Sequence, residues 1–116
     1  RDFTYIDDIV EGVMKVFKTP PKDESPMNRI LNIGNSSPVK LMTFVETLEK
    51  CLSRSLNKKV EFKIEFEPIK LGDVYHTFAS TELLEELVDF RPKTAINEGL
   101  QKFTDWYVTY YEKSVL

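Results

Sequence analysis

The chain has 116 residues, 41% of them hydrophobic and 30% charged, which is the make-up of a folded domain with a modest core and not of a disordered tail. Its net charge of -3 and scattered basic residues argue against the broad cationic surface of a nonspecific nucleic-acid binder. Cys51 is the only cysteine and His76 the only histidine, so an intramolecular disulfide and a Cys/His metal centre are both excluded. There is no apolar run long enough to span a bilayer and no signal peptide, so no membrane partner and a cytoplasmic location are expected.

The chain opens on "RDFTYIDDIV", without an initiator Met, and a strand-like stretch at the first residue suggests that something has been removed before it. Phe3 to Ile6 reads as a short strand by its aromatic and β-branched content. Asp7 and Asp8 then supply N-cap chemistry, and Ile9, Val10, Val13, Met14 and Phe17 recur at helical spacing, predicting a helix over about 8 to 18. "TPPKDESPMNR" (Thr19 to Arg29) carries three prolines and reads as an exposed loop. "ILNIG" (Ile30 to Gly34) has the form of a buried strand, followed by the turn "NSSP".

Leu41, Val45, Leu48 and Leu52 mark one face of a second helix ending near Ser53 to Asn57. "KVEFKIEF" (Lys59 to Phe66) alternates strictly, placing Val60, Phe62, Ile64 and Phe66 on one face, and predicts a strand with one wet side. Past an irregular segment around "IKLGDVYH", with two or three extended residues near Val74 to Phe78, Ser80 can cap a short helix, "TELLEEL". The residue before Pro92 ends it, and Thr94 can cap a last helix whose Ile96, Leu100, Phe103, Tyr107 and Tyr110 lie three or four apart. The expected order is β-α-β-α-β-α-α, an α/β domain occupying residues 1–116 as a single unit.

No G-x-G-x-x-G or G-x-x-x-x-G-K cradle exists among the 4 glycines, and no Ser-His-Asp set can be built on one histidine. Two places carry hints of chemistry. The Arg1 guanidinium fork beside a strand start can hold a phosphate in two-point fashion, against the plainer reading of a surface ion pair. In "IKLGDV", Lys70 offers a cation and Asp73 a carboxylate for vicinal hydroxyls around Gly72, against an ordinary Gly-Asp turn. Asp7 and Asp8 read as a helix cap before they read as paired catalytic carboxylates. Cys51 reads as a small buried hydrophobe and His76 as a local polar contact. The "FTDWYVTYY" stripe lacks a basic surround, so core and interface packing is favoured over base stacking; any part left exposed would make the chain sticky or dimeric.

"RDFTYIDDIVEGV", "NIGNSSPVKLM", "LGDV" and "DFRPKTAINEGLQKFTDWY" together resemble, in order and spacing, the C-terminal part of the extended short-chain dehydrogenase/reductase family. Within it they look most like UDP-glucuronate 4-epimerases, of the NAD-dependent nucleotide-sugar epimerase/dehydratase group. The resemblance covers nearly the whole chain. It implies a C-terminal UDP-sugar-binding domain lacking the main Rossmann domain, with NAD and the catalytic Tyr-x-x-x-Lys pair both supplied upstream. Tyr5, Tyr75, Tyr107, Tyr110 and Tyr111 indeed have no Lys four residues on. By motif, Arg1 matches the family arginine on the UDP diphosphate and Asp73 the carboxylate on the ribose hydroxyls. Lys70 stands where some relatives place a second phosphate-binding arginine, keeping the charge but losing the fork. Ser80 replaces a family Asp, and Lys40 stands where a Ser often caps the second helix. The resemblance further implies a UDP-sugar substrate, contact with the chain's own Rossmann domain, a homodimeric full enzyme and no catalysis by this part alone. UDP-glucose or UDP-N-acetylglucosamine 4-epimerases and related dehydratases or decarboxylases share the pattern, and a stand-alone binding module that reuses the fold is the reading from another class.

Overall fold

The computed structural model describes residues 1–21 and 28–112. Among these residues there are four helices and no strand: α1 (Ile6–Phe17), α2 (Leu41–Ser55), α3 (Glu82–Val88) and α4 (Ile96–Glu112). The expected α/β order is therefore corrected to an all-helical one. Most of the loop expected over 19–29 lies outside the described residues.

The chain divides into two compact units. The first comprises Arg1–Pro38 and His76–Thr94, the second Val39–Tyr75 with the chain from Ala95 onward. In the first unit α1 packs with α3. α1 starts at Ile6 with Tyr5 in extended backbone at its N-cap and no side-chain cap. Asp7 and Asp8 sit inside the first turn, where a carboxylate favours the positive end of the helix dipole, and Lys15 lies in the last turn. Asp8 is buried, and its Oδ2 accepts the Thr94 N–H at 3.0 Å, so it secures a remote backbone donor in place of the cap expected of it. Gly12 lets α1 approach Ile33 and Phe90: a Cβ there would stand 3.1 Å from atoms of both. Leu84 and Phe90 are buried at the centre of this unit, and the Lys15 ammonium lies 5.6 Å from the Phe90 ring centre.

The two stretches expected as strands in this unit, Phe3 to Ile6 and Ile30 to Gly34, form no ladder, and Ile6 is already the first residue of α1. Backbone donors of residues 35, 36 and 37 are taken by the side chains of Thr4 and Asp2, not by a neighbouring backbone. With those donors committed to short polar side chains, no strand pairing forms along them.

In the second unit α2 packs against α4. Cys51, Leu100 and Thr104 are buried there. The Thr104 hydroxyl donates to the Gln101 carbonyl at 3.0 Å, which is how a polar group tolerates almost complete burial, and its oxygen lies 2.9 Å from the Ser55 hydroxyl. Of the apolar line expected on α4, Leu100 is buried while Phe103, Tyr107 and Tyr110 stay substantially exposed.

The segment Lys59 to Phe66 shows why strict alternation did not make a strand. The N–H groups of Val60 and Phe62 point to the same side, ~6.6 Å apart in extended backbone. They are accepted by Ser53 Oγ at 3.0 Å and Glu49 Oε1 at 2.6 Å, two side chains one helical turn, or ~6 Å, apart on α2. The two repeats match, so the segment is zipped to a helix through side chains. Val60 and Phe62 are half-buried as the alternation requires, but Ile64 and Phe66 are exposed. On the other side Lys59 pairs with Glu61 and Lys63 with Glu65, exposed ion pairs of small energetic weight.

Candidate functional site

Asp2 and Thr4 are two residues apart in extended backbone, so their side chains share one face. Both reach the "GNSS" turn. Asp2 Oδ2 accepts the Ser36 N–H at 3.0 Å and Oδ1 the Ser37 N–H at 3.2 Å, while Thr4 Oγ1 accepts the Asn35 N–H at 3.1 Å. Consecutive amides aimed at one carboxylate form an anion-binding nest, and here the chain's own aspartate fills it. Ser36 holds φ +51°, uncommon for a residue with a side chain, and its hydroxyl donates to the Ala79 carbonyl at 2.7 Å while sharing a 3.1 Å contact with Thr81 Oγ1. The Asp2 N–H in turn donates to Thr77 Oγ1 at 2.8 Å. Three stretches distant in sequence, "RDFT", "GNSS" and "TFAST" (residues 77–81), are thereby stitched together beside Arg1, which is half-buried in this same unit.

Lys70 and Asp73 belong to the second unit, in an exposed turn. The Asp73 N–H closes the turn on the Lys70 carbonyl at 3.1 Å, Gly72 supplies φ +90°, and Asp73 Oδ1 accepts the Val74 N–H at 2.9 Å. The Lys70 ammonium is ion-paired with Glu67 at 2.8 Å, with both side chains well exposed. The turn thus brings the lysine and the aspartate together as the spacing "KLGD" suggests, and an exposed ion pair of this kind opens at little cost. Leu71 and Tyr75 beside it are also exposed.

The remaining candidates have structural places. Cys51 is buried, its thiol donates weakly to the Asn97 carbonyl at 3.7 Å, and burial pushes its pKa up, aided by Asp105 and opposed by Arg54. That is the opposite of what an activated thiolate needs. His76 and Asp7 are exposed. Ser80 lends its carbonyl to Asn32 Nδ2 at 3.3 Å, and Thr81 is the N-cap of α3. No cluster of His, Cys, Asp or Glu suited to a metal exists among the described residues, and no helix among them is long and apolar enough to cross a membrane.

A dinucleotide does not fit the residues of this chain. Two of its glycine positions are already crowded by its own side chains: a Cβ at Gly12 would meet Ile33 and Phe90, and one at Gly34 would meet Ala79 at 3.0 Å and Asp2 Oδ2 at 3.2 Å. Gly72 faces open space, and one glycine makes no phosphate cradle.

The sequence marks Arg1, Lys70 and Asp73 as candidates by their charge, and it gives no prominence to Asp2, Thr4, Ser36 and Thr77, which the fold joins by hydrogen bonds. The available signal was the i, i+2 pair of short polar side chains at 2 and 4, set before a run of small polar residues.

Comparison with known proteins gives the chemistry a context. No family model matches the chain. It is 40% identical over 97% of its length to the protein CapI of Staphylococcus aureus and 38% identical over 98% to a probable UDP-glucuronate 4-epimerase of Rhizobium meliloti. It is 37% identical over 98% of its length to UDP-glucuronate 4-epimerase 5 of Arabidopsis thaliana. The chain spans 36% of the first two proteins and 27% of the third. Over nearly its whole length the chain is thus similar to a portion, about a third, of proteins that include ones named UDP-glucuronate 4-epimerase.

Proposed function

We propose that this chain is the nucleotide-sugar-binding part of an NAD-dependent 4-epimerase of the extended short-chain dehydrogenase/reductase type, acting in the whole enzyme on UDP-glucuronate and UDP-galacturonate. The observation that carries the reading is the 37% identity over 98% of the chain to a protein named UDP-glucuronate 4-epimerase 5. In this reading, carried by the resemblance of the motifs, Arg1 binds the diphosphate as a charged fork. Asp73 accepts hydrogen bonds from the ribose hydroxyls, and a carboxylate that already accepts one N–H retains acceptor capacity for them. Lys70 gives a further phosphate contact once it leaves Glu67. Such groups supply binding energy and orientation, not bond-making. When bound by an upstream Rossmann domain, NAD supplies the hydride chemistry. A cytoplasmic, homodimeric whole enzyme serving polysaccharide biosynthesis completes the proposal.

The test is a titration of the chain with UDP, followed by backbone amide shifts. A nucleotide half-site gives weak, saturable changes clustered at residues 1–4, 34–37 and 70–75. Scattered or absent changes would favour an interaction module that only shares the fold. Incubated with NAD and UDP-glucuronate, the isolated chain is expected to form no UDP-galacturonate; turnover would defeat the claim that catalysis lies elsewhere.

A further inference from the structure

Asp2 is held on both its backbone and its side chain by segments far away in sequence. Its carboxylate spans the Ser36 and Ser37 amides at 3.0 and 3.2 Å, and its own N–H is held by Thr77 Oγ1 at 2.8 Å. The peptide joining residues 1 and 2 is planar, so fixing the Asp2 N–H fixes the plane that also contains the Arg1 Cα. With that plane set, the place from which the arginine side chain leaves the backbone is set, and only rotation about the Arg1 Cα–C bond and its own χ angles remains. The turn that receives Asp2 bears a cost, since Ser36 sits at φ +51°; the nest of amides it creates is repaid by a full negative charge, a stronger acceptor than a neutral side chain. Gly34 belongs to the same arrangement, because a Cβ at that position would intrude on Asp2 Oδ2 at 3.2 Å.

We infer that Asp2 is the positioning residue for a phosphate-binding Arg1: it locks the Arg1–Asp2 peptide between the Ser36–Ser37 nest and the Thr77 hydroxyl, so that the Arg1 Cα is held in one place and the guanidinium has a smaller volume to search for a nucleoside diphosphate. This rests on the diphosphate role given to Arg1 above. Asp2 touches no ligand itself and acts only through its neighbour.

UDP and uridine separate this role from a merely structural one, because uridine has no phosphate for Arg1 to hold. Their dissociation constants would be measured on the chain and on Asp2→Asn, Arg1→Ala and the double variant. Asp2→Asn, which leaves one amide facing an NH2 group, should weaken UDP binding roughly tenfold and leave uridine unchanged. The double variant should bind UDP no more weakly than Arg1→Ala alone, since a residue acting through Arg1 has nothing left to position. Thr77→Val should weaken UDP and Thr77→Ser should restore it, and this pair decides the matter if Asp2→Asn does not fold. Losses that multiply in the double variant, an equal loss of uridine, or a parental UDP affinity in Asp2→Asn and Thr77→Val would overturn the inference while leaving the nucleotide reading intact. A parent chain that binds neither UDP nor uridine overturns that reading itself, and the role of Asp2 with it.

Discussion

Two glycines of this chain are glycines for different reasons. At Gly72 a side chain would meet nothing within 4 Å, and the requirement is the φ of +90° that closes the turn from Lys70 to Asp73. At Gly34 the requirement is space, with the Ala79 Cβ 3.0 Å from where a new Cβ would be. Gly34→Ala is expected to lower unfolding stability by about 1–3 kcal/mol through overpacking, read as a drop in the urea midpoint. If the clash is the cause, adding Ala79→Gly recovers part of the loss, whereas a cause in the backbone would leave the double variant as unstable as the single one. Charge also acts residue by residue. The Ser55 hydroxyl has one proton and several acceptors in reach, and Asp105 Oδ1, at 2.6 Å and ionised, is the strongest of them. That bond first, and the Gln101 amide at 2.9 Å second, hold the Asp105 carboxyl below the ordinary 3.8, with desolvation acting the other way. The unfolded chain then binds more protons in this range, so the contribution is whole above 3.8 and is lost as pH falls through the lower folded value. The urea midpoints of the parent and of Asp105→Asn should converge as pH drops below 3.8; a gap that persists or widens would mean that the carboxylate contributes nothing through its charge.

The helices were legible from their periodicity because an α-helix closes its own hydrogen bonds and needs only a buried face. Reading α1 over 8 to 18 and finding Ile6–Phe17 is a shift at the edges, caused by Asp8 turning inward to Thr94 instead of capping. The strands were not legible because alternation describes which side chains share a face and not which groups accept the backbone amides. Val60 and Phe62 alternate as a strand should, yet Ser53 and Glu49 of α2 take their N–H groups. A helix start can still be improved. α2 begins at Lys40 with no side-chain cap and no acidic residue in its first turn, so a cation stands at the positive end of the dipole. Lys40→Ser is expected to stabilise the chain by about 1 kcal/mol, seen as a higher melting temperature with unchanged helical signal. An unchanged or lower melting temperature would mean that the Lys40 side chain has a packing role that outweighs the cap.

Across the molecule as a whole, the residues proposed for binding stand out in the sequence to different degrees for a physical reason. Arg1, Lys70 and Asp73 carry charge that stands out in the sequence, and the resemblance of the flanking motifs gave each a role. Asp2 and Ser36 act through geometry that only folding creates, so no spacing announces that a carboxylate at position 2 meets amides at 36 and 37. The aromatic stripe of α4 marks another gap between pattern and packing. Thr104, not an aromatic ring, lies in the packed line with Leu100, and Trp106, two positions on and therefore about 200° around the helix, is 55% exposed. Trp106 stacks on Tyr110 at 5.4 Å, and Tyr107 lies 4.6 Å from Tyr111, so these rings cover one another instead of a core. Trp106 is the only tryptophan and therefore reports on this face alone. At low protein concentration its emission should be red-shifted, and acrylamide should quench it in the folded chain nearly as well as in urea. Apolar surface of this kind drives association, so raising the concentration should shield the indole and shift its emission to the blue. A Trp106 already shielded in the most dilute folded sample would mean that α4 packs through the aromatic side of the helix, and the burial of Thr104 would then have to be given up with it.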